Sequence, residues 1–141
     1  MEVFLVHPGG PFWAKRDDGA WSICKGEPGA EEAPLDAARR EFAEETGQTV
    51  DGEFRALPPL RQAGGKRVQA WAVEAELDAA AIASNRFELE WPPRSGQRRS
   101  FPEIDRAGWF DIAAARRKLL ASQQPLLDAL LLTLGAGPRA G

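Results

Sequence analysis

The sequence predicts one mixed α/β domain, and three observations lead to this expectation. Short β-prone runs recur between turn residues, a helical pattern covers residues 35–46, and two more helical patterns close the chain. The length of 141 residues fits a single domain with a real core. We expect that domain to span residues 1–135, and the tail 136–141, which offers nothing to bury, to fray.

The predicted strands are short runs that are apolar or alternate apolar with polar residues, and turn residues bound them. Glycine and proline at 8–10 end the first run, and the glycine pair at 64–65 forms a turn before the fourth. The polar segment 92–102 is expected to be a loop that carries several arginines. The predicted strands are residues 2–7, 21–24, 50–57, 67–77, 87–91 and 105–110.

The helix over residues 35–46 has a start signal and a stop signal. Pro34 suits the first helical turn and Gly47 suits the C-terminal stop. Ala33 is a poor N-cap, and the acidic residues just before it interact favourably with the helix dipole.

Two aspartate caps and one proline mark the helical segments in the second half of the chain. Asp78 is expected to cap a short helical turn over 78–84, and Asp111 to cap a helix over 112–121. Pro125 opens the last helix, which ends at Gly135. Its apolar stripe consists of Leu126, Leu127, Leu130, Leu131 and Leu134.

Composition excludes several classes of protein. Eighteen Lys and Arg residues against 21 Asp and Glu give a net charge of −3, which argues against general nucleic-acid binding. The single cysteine, Cys24, excludes a disulfide framework and a cysteine-based zinc site. No apolar run approaches the length of a membrane span, and the N-terminus lacks signal-peptide features. We therefore expect a cytoplasmic monomer or homodimer with no nucleic-acid or membrane partner.

Three glutamates lie on one stripe of the first predicted helix. Glu41, Glu44 and Glu45 fall within an arc of about 100°. Like charges this close repel one another, so the stripe becomes favourable when a divalent cation such as Mg²⁺ or Mn²⁺ binds it. Arg40 lies beside Glu44 on the helical wheel and can orient a carboxylate. The alternative for the glutamates alone is a solvated acidic helix face.

The surrounding segment makes the metal interpretation much more specific. Residues 26–48 match the pattern Gly-x5-Glu-x7-Arg-Glu-U-x-Glu-Glu-x-Gly-U, where U is a bulky aliphatic residue. Phe42 occupies the first U, and Gln48 departs from the pattern at the second. This segment resembles the signature of the Nudix hydrolase family. The fixed positions are Gly26, Glu32, Arg40, Glu41, Glu44, Glu45 and Gly47.

The resemblance implies an α/β/α sandwich with a mixed central sheet and Mg²⁺-dependent hydrolysis of a nucleoside diphosphate linked to another group. It implies that Glu41, Glu44 and Glu45 bind the metal together with the Gly26 carbonyl. Glu32, Arg40 and Gly47 would maintain the geometry of loop and helix, and Arg40 would also support catalysis.

Other candidate site residues lie outside the signature. Lys25 is placed to meet a phosphate, and Arg94 with Arg98 and Arg99 is expected to clamp further phosphates, unless these cations form only a solvated surface. The preferred general base is Glu90, with Glu88 and Glu103 as further candidates, although an exposed strand glutamate is the competing interpretation of Glu90.

Aromatic residues and one histidine complete the candidate set. For His7, a partly buried structural role is favoured over a catalytic one. We assign Trp13 to substrate binding, and a core position is the safer interpretation of Trp71. The candidates for stacking on a base are Phe12, Trp13, Trp71 and Trp91.

The substrate class stays open at two levels. The run from Trp21 to Glu27 resembles Nudix enzymes of the diadenosine tetraphosphate hydrolase type, and most of the chain resembles a bacterial branch of predicted nucleoside-triphosphate pyrophosphohydrolases. This favours dinucleoside polyphosphates or (d)NTPs. The alternatives are diphosphoinositol polyphosphates, because of the arginine-rich loop, and a non-catalytic nucleotide-binding module.

One further departure from the family concerns the start of the domain. Nudix domains usually open with an additional strand before the one that corresponds to residues 2–7. The chain begins after that strand, so we expect a sheet edge that lacks its usual partner.

Overall fold

The computed structural model describes residues 1–24, 31–61 and 67–135. Within them, eight strands and three α-helices form an α/β arrangement, as the sequence predicted. The strands are β1 (Glu2–Pro8), β2 (Arg55–Ala56), β3 (Leu60–Arg61), β4 (Arg67–Val68), β5 (Trp71–Ala72), β6 (Arg86–Glu90), β7 (Arg98–Pro102) and β8 (Ile104–Asp111), and the helices are α1 (Pro34–Thr46), α2 (Ile112–Lys118) and α3 (Gln124–Thr133). No helix among these residues is long and apolar enough to cross a membrane.

The strands pair as four antiparallel two-stranded ladders: β1 with β8, β2 with β5, β3 with β4 and β6 with β7. In the longest ladder, Glu2 faces Asp111 and His7 faces Arg106. Among the described residues, the mixed character of the sheet rests on one parallel bridge, between Trp21 and Leu119. On the edge of β1 that does not pair with β8, the described part of the chain forms one bridge, from Val6 to Ser22.

Several strand predictions were too long or missed an element. Of the predicted run 50–57, only β2 is a strand, and it pairs with β5. Of the predicted run 67–77, only the short β4 and β5 are strands. Gly52, at φ +138°, bends the chain before β2. Of the predicted run 21–24, Trp21 and Ser22 form isolated bridges instead of a strand. The prediction of a loop over residues 92–102 was wrong for its second half, which forms β7. That strand is mostly exposed, so it lacks the apolar alternation that reveals a strand in sequence.

The helix signals were read correctly. Helix α1 starts at Pro34 without a side-chain cap at Ala33, and Gly47, at φ +73°, donates its N–H to the Ala43 carbonyl. Asp111 caps α2 by accepting a hydrogen bond from the Ala114 N–H at 2.8 Å. Helix α2 ends before the predicted residue 121 because Leu119 turns extended and bridges Trp21.

Helix α3 connects two groups of buried residues. Leu127 packs with Leu5 and Trp21 in the main core, and Leu126 packs with Leu57 in a smaller one. Full burial of each such leucine stabilises the fold by about 1.5–3 kcal/mol. The predicted stripe is therefore the core-facing side of α3, although Leu134 at its end is exposed.

His7 is a fully buried structural residue. Its Nδ1 lies 2.7 Å from a carboxylate oxygen of Asp105, and its Nε2 donates to the Arg16 carbonyl at 2.6 Å. Its ring also meets Trp21 edge-on, at 5.2 Å between ring centres. These contacts attach the turn after β1 to the start of β8.

Candidate active site

Arg40 on α1 joins three glutamates. Its Nε and Nη2 donate to the two carboxylate oxygens of Glu32 at 2.8 and 2.9 Å. Its Nη1 donates to Glu41 at 3.0 Å and to Glu44 at 3.2 Å. These carboxylates, Glu32 above all, raise the pKa of Arg40. A permanently charged guanidinium thus ties the segment before α1 to the glutamate stripe.

The third glutamate of the stripe has a different partner. Glu45 shares a hydrogen bond with the carboxyl group of Glu103, between β7 and β8. Burial raises the pKa of Glu45 to about 8, and Glu103 with the charges of Glu41 and Glu44 adds to the shift. Glu45 therefore retains its proton near neutral pH in the metal-free protein.

Backbone contacts fix the position of Glu103. Its N–H donates to the Asn85 carbonyl at 2.8 Å, and its carbonyl accepts from the Gly9 N–H at 2.9 Å. Gly9 fits only because it has no side chain, since an added Cβ would lie 1.9 Å from the Pro102 oxygen. The loop after β1 therefore helps to hold Glu103 against α1.

Gln48, the departure from the family pattern, fixes the C-terminal end of α1. Its Nε2 donates to the Asp78 carbonyl at 2.8 Å, and its Oε1 accepts from the Asp78 N–H at 3.0 Å. Next to it, the Ala83 N–H donates to the Thr46 carbonyl at 2.8 Å. Hydrogen bonds thus replace aliphatic packing at the helix end that carries Glu44 and Glu45.

The donor chemistry of this site fits a divalent cation. Four carboxylates, from Glu41, Glu44, Glu45 and Glu103, gather around one helix face, and hard cations such as Mg²⁺ prefer oxygen ligands. No three metal-binding side chains converge on one point in the described part of the chain. Glu41 and Glu44 bond to Arg40 instead, so they must turn from it to reach a cation beside Glu45.

The other glutamate proposed as a base lies elsewhere. Glu90 faces Arg98 at one end of the β6–β7 ladder, whereas Arg86 and Pro102 form the end next to Glu103. Four residues of strand separate the two ends, which is about 13 Å. The structure therefore brings Glu103, and not Glu90, to the glutamate stripe. No local sequence signal distinguishes the two, because the difference arises from tertiary folding.

The remaining candidates are dispersed. Trp13 packs against the main core, and the Arg16 guanidinium lies 5.4 Å from its ring centre. Arg94 is exposed in the β6–β7 turn, at φ +62°. Lys25 and Gly26 lie outside the described residues.

Two features near α1 are not part of the carboxylate site. Burial raises the pKa of the Cys24 thiol to about 12, with Glu45 and Glu41 adding to the effect, so this cysteine is not a thiolate nucleophile. An apolar cavity of about 1500 Å³ adjoins the face of α1 that carries Leu35 and Phe42, and the stripe glutamates do not line it.

A family model described as a NUDIX domain matches residues 2–130. The chain belongs to the Nudix family. It is therefore a Nudix hydrolase, of the kind that acts on pyrophosphate bonds in small nucleoside diphosphate-linked substrates, and such enzymes generally use divalent metal ions. The resemblance carried by residues 26–48 and the α/β fold class are both confirmed.

A solved structure supports the fold assignment. The solution structure of the E. coli ORF135 protein is similar to this Nudix domain, with a TM-score of 0.60 and 22% sequence identity. The similarity covers 97% of this chain and 84% of that one. No curated protein matches the chain.

Proposed function

We propose that this Nudix hydrolase uses Mg²⁺ or Mn²⁺ to hydrolyse a phosphoanhydride bond in a dinucleoside polyphosphate or a (d)NTP. The observation that carries the proposal is the contact of Glu45 with Glu103 beside Glu41 and Glu44. This contact adds a fourth carboxyl group, from a distant part of the sequence, to the three glutamates of the signature. A merely solvated acidic helix face does not require such a partner.

In this proposal, Glu41, Glu44 and Glu45 bind the cation together with the Gly26 carbonyl. A bound divalent cation would lower the pKa of a water molecule and offset negative charge on the phosphate oxygens. Lys25 would meet a phosphate, and the exposed Arg94 would bind a more distant one.

Arg40 acts as a positioning residue. Its bidentate contact with Glu32 holds the segment before α1, and its Nη1 keeps Glu41 and Glu44 on the stripe until they turn to the cation. Gly47 ends the helix, so that Gln48 can bond to Asp78.

Glu103 is the residue that we propose as the base for the attacking water. Glu103 lies beside the glutamates of the stripe, and the hydrogen bonds of its own backbone N–H and carbonyl hold it there. Glu90, which the sequence favoured, is the competing base, and its place at the far end of β6 counts against it.

Release of hydrolysis products from a panel of nucleotides, separated and quantified by anion-exchange chromatography, tests the function. A dinucleoside polyphosphate yields two mononucleotides, and a (d)NTP yields a nucleoside monophosphate and pyrophosphate. The panel contains diadenosine tetraphosphate, (d)NTPs, nucleoside diphosphate sugars and a diphosphoinositol polyphosphate, each with Mg²⁺ and with a chelator. We expect Mg²⁺-dependent release from one of the first two classes, and loss of about a hundredfold or more in Glu44→Gln. The matched control, Glu76→Gln, changes an exposed glutamate before the turn at Ala79–Ala81 and is expected to keep full activity. Mg²⁺-independent release, or no release from any compound, would contradict the proposal.

A further inference from the structure

Two aromatic rings meet at the far end of the β6–β7 hairpin. Phe12 contacts Trp91 edge to face, with 5.3 Å between ring centres. Phe12 is 62% exposed, although contact between an apolar phenylalanine ring and water is unfavourable. The pair thus forms an open aromatic surface.

Glycines hold the loop that carries Phe12 against the hairpin. Gly10 has φ +98°, and an added Cβ would lie 2.9 Å from the Phe87 ring. Gly9 lies closer still to its neighbour, since an added Cβ would be 1.9 Å from the Pro102 oxygen. The loop therefore follows β6 from its Phe87 end towards Trp91, so the position of Phe12 is fixed by its neighbours.

Cations accompany the aromatic pair. Strand alternation places Arg99 on the hairpin face of Phe101 and, across the ladder, of Leu89. Arg94 lies in the turn that follows Trp91. Neither guanidinium makes an ion pair with a carboxylate in the described residues, whereas Arg98, on the opposite face, bonds to Glu88. This surface therefore offers both stacking area and unpaired positive charge.

The distance between this surface and the carboxylates restricts what can occupy both. Trp91 pairs with Gln97 next to the hairpin turn, and five residues of strand separate Gln97 from Pro102, beside Glu103. That length is about 17 Å. The base of a nucleotide attacked at its own α-phosphate cannot span it. A second nucleoside at the far end of a chain of several phosphates can.

We propose that Phe12 and Trp91 stack on the distal base of a dinucleoside polyphosphate, while Arg99 and Arg94 bind phosphates between that base and the carboxylates. This inference rests on the proposed function and selects, from its two substrate classes, the dinucleoside polyphosphates. The aromatic rings give affinity for any base, and the guanidinium groups match a polyanion.

The ratio of kcat/KM for diadenosine tetraphosphate to kcat/KM for ATP tests the subsite. Phe12→Ala is expected to lower this ratio at least tenfold, and Trp91→Phe, which keeps an aromatic ring, to restore most of what Trp91→Leu loses. Leu132→Ala, which removes an exposed apolar side chain on α3, is expected to leave the ratio unchanged. Because Phe12 is exposed, its variant retains the fold, and thermal unfolding checks this.

Failure of the subsite is distinguishable from failure of the proposed function. If both compounds are hydrolysed and Phe12→Ala leaves their ratio unchanged, the subsite is overturned while the hydrolase proposal stands. A preference for a diphosphoinositol polyphosphate that Arg99→Gln abolishes and Phe12→Ala does not would also overturn it. If nothing is hydrolysed, metal-free calorimetric binding of diadenosine tetraphosphate decides: at least tenfold weaker binding in Phe12→Ala supports the subsite, and equal binding overturns it.

Discussion

Glu45 and Glu103 share a hydrogen bond, although one lies in the last turn of α1 and the other follows β7. Burial and, after it, this contact raise the pKa of Glu45, so that it retains its proton to an unusually high pH. It also joins the family signature to a residue outside it. The consequences for stability, metal binding and catalysis follow from this geometry.

The metal-free protein is expected to lose stability as the pH rises from about 4.5 to 8. In the unfolded chain, Glu45 releases its proton around its ordinary pKa of 4.5, whereas the folded protein holds it to about 8. Below 4.5 both states are protonated and the group contributes nothing; between the two values the unfolded state binds fewer protons, so rising pH favours unfolding. Because Glu45 is partly exposed, we expect a loss of about 1–2 kcal/mol.

Urea denaturation with a chelator at several pH values measures this effect. Glu45→Gln is expected to flatten the profile, because the amide does not titrate. Saturating Mg²⁺ is expected to reverse the loss, and a ligand at 100 times its Kd adds about 2.7 kcal/mol. A wild-type profile as flat as that of the variant would contradict the raised pKa of Glu45.

Arg40→Lys is expected to impair activity more than stability. Lysine cannot reproduce the bidentate contact with Glu32 while also holding Glu41 and Glu44. We expect kcat/KM to fall about tenfold or more. The free energy of unfolding should change by less than about 1 kcal/mol, because the ion pairs are largely exposed. Arg39→Lys, one residue earlier, is the matched control. An equal loss of activity in both variants would count against the positioning role.

Replacing Gln48 by leucine restores the family pattern and is nevertheless expected to destabilise this chain. The change removes two hydrogen bonds to the Asp78 backbone, which anchor the end of α1. We expect a loss of about 1–2 kcal/mol in urea denaturation. A more stable Gln48→Leu variant would show that aliphatic packing outweighs the amide contacts.

His7→Ala tests the buried contacts behind the loop that carries Phe12. The substitution leaves the Asp105 carboxylate and the Arg16 carbonyl without their partner and opens a cavity. We expect a loss of about 3 kcal/mol in the free energy of unfolding, measured with urea. His7→Asn, which can retain one bond, should lose less, and a change below about 1 kcal/mol in His7→Ala would contradict the structural role.

The sequence predicted elements whose signals are local. Helix α1 was identified with both ends, since Pro34 and Gly47 act through neighbouring backbone, and Asp111 and Asp78 cap as expected. Residues 50–57 and 67–77 were overextended because strand length depends on a distant partner. Strand β7 was missed because both its charge and its exposure resemble those of a loop.

The residues of the candidate site likewise divide into those that local sequence signals predict and those that only tertiary folding reveals. The stripe of Glu41, Glu44 and Glu45 follows from helical spacing alone. The choice between Glu90 and Glu103 does not, because both are polar residues near predicted strands. Only the register of β6 with β7 shows that they lie at opposite ends of the hairpin.

Comparing Glu103→Gln with Glu90→Gln tests the central claim most directly. Each substitution removes one carboxylate and keeps the side-chain shape, and kcat for the best nucleotide substrate is measured at saturating Mg²⁺. The account predicts that kcat falls about a hundredfold or more in Glu103→Gln and less than threefold in Glu90→Gln. The reverse order, or an unchanged kcat in Glu103→Gln, would contradict it.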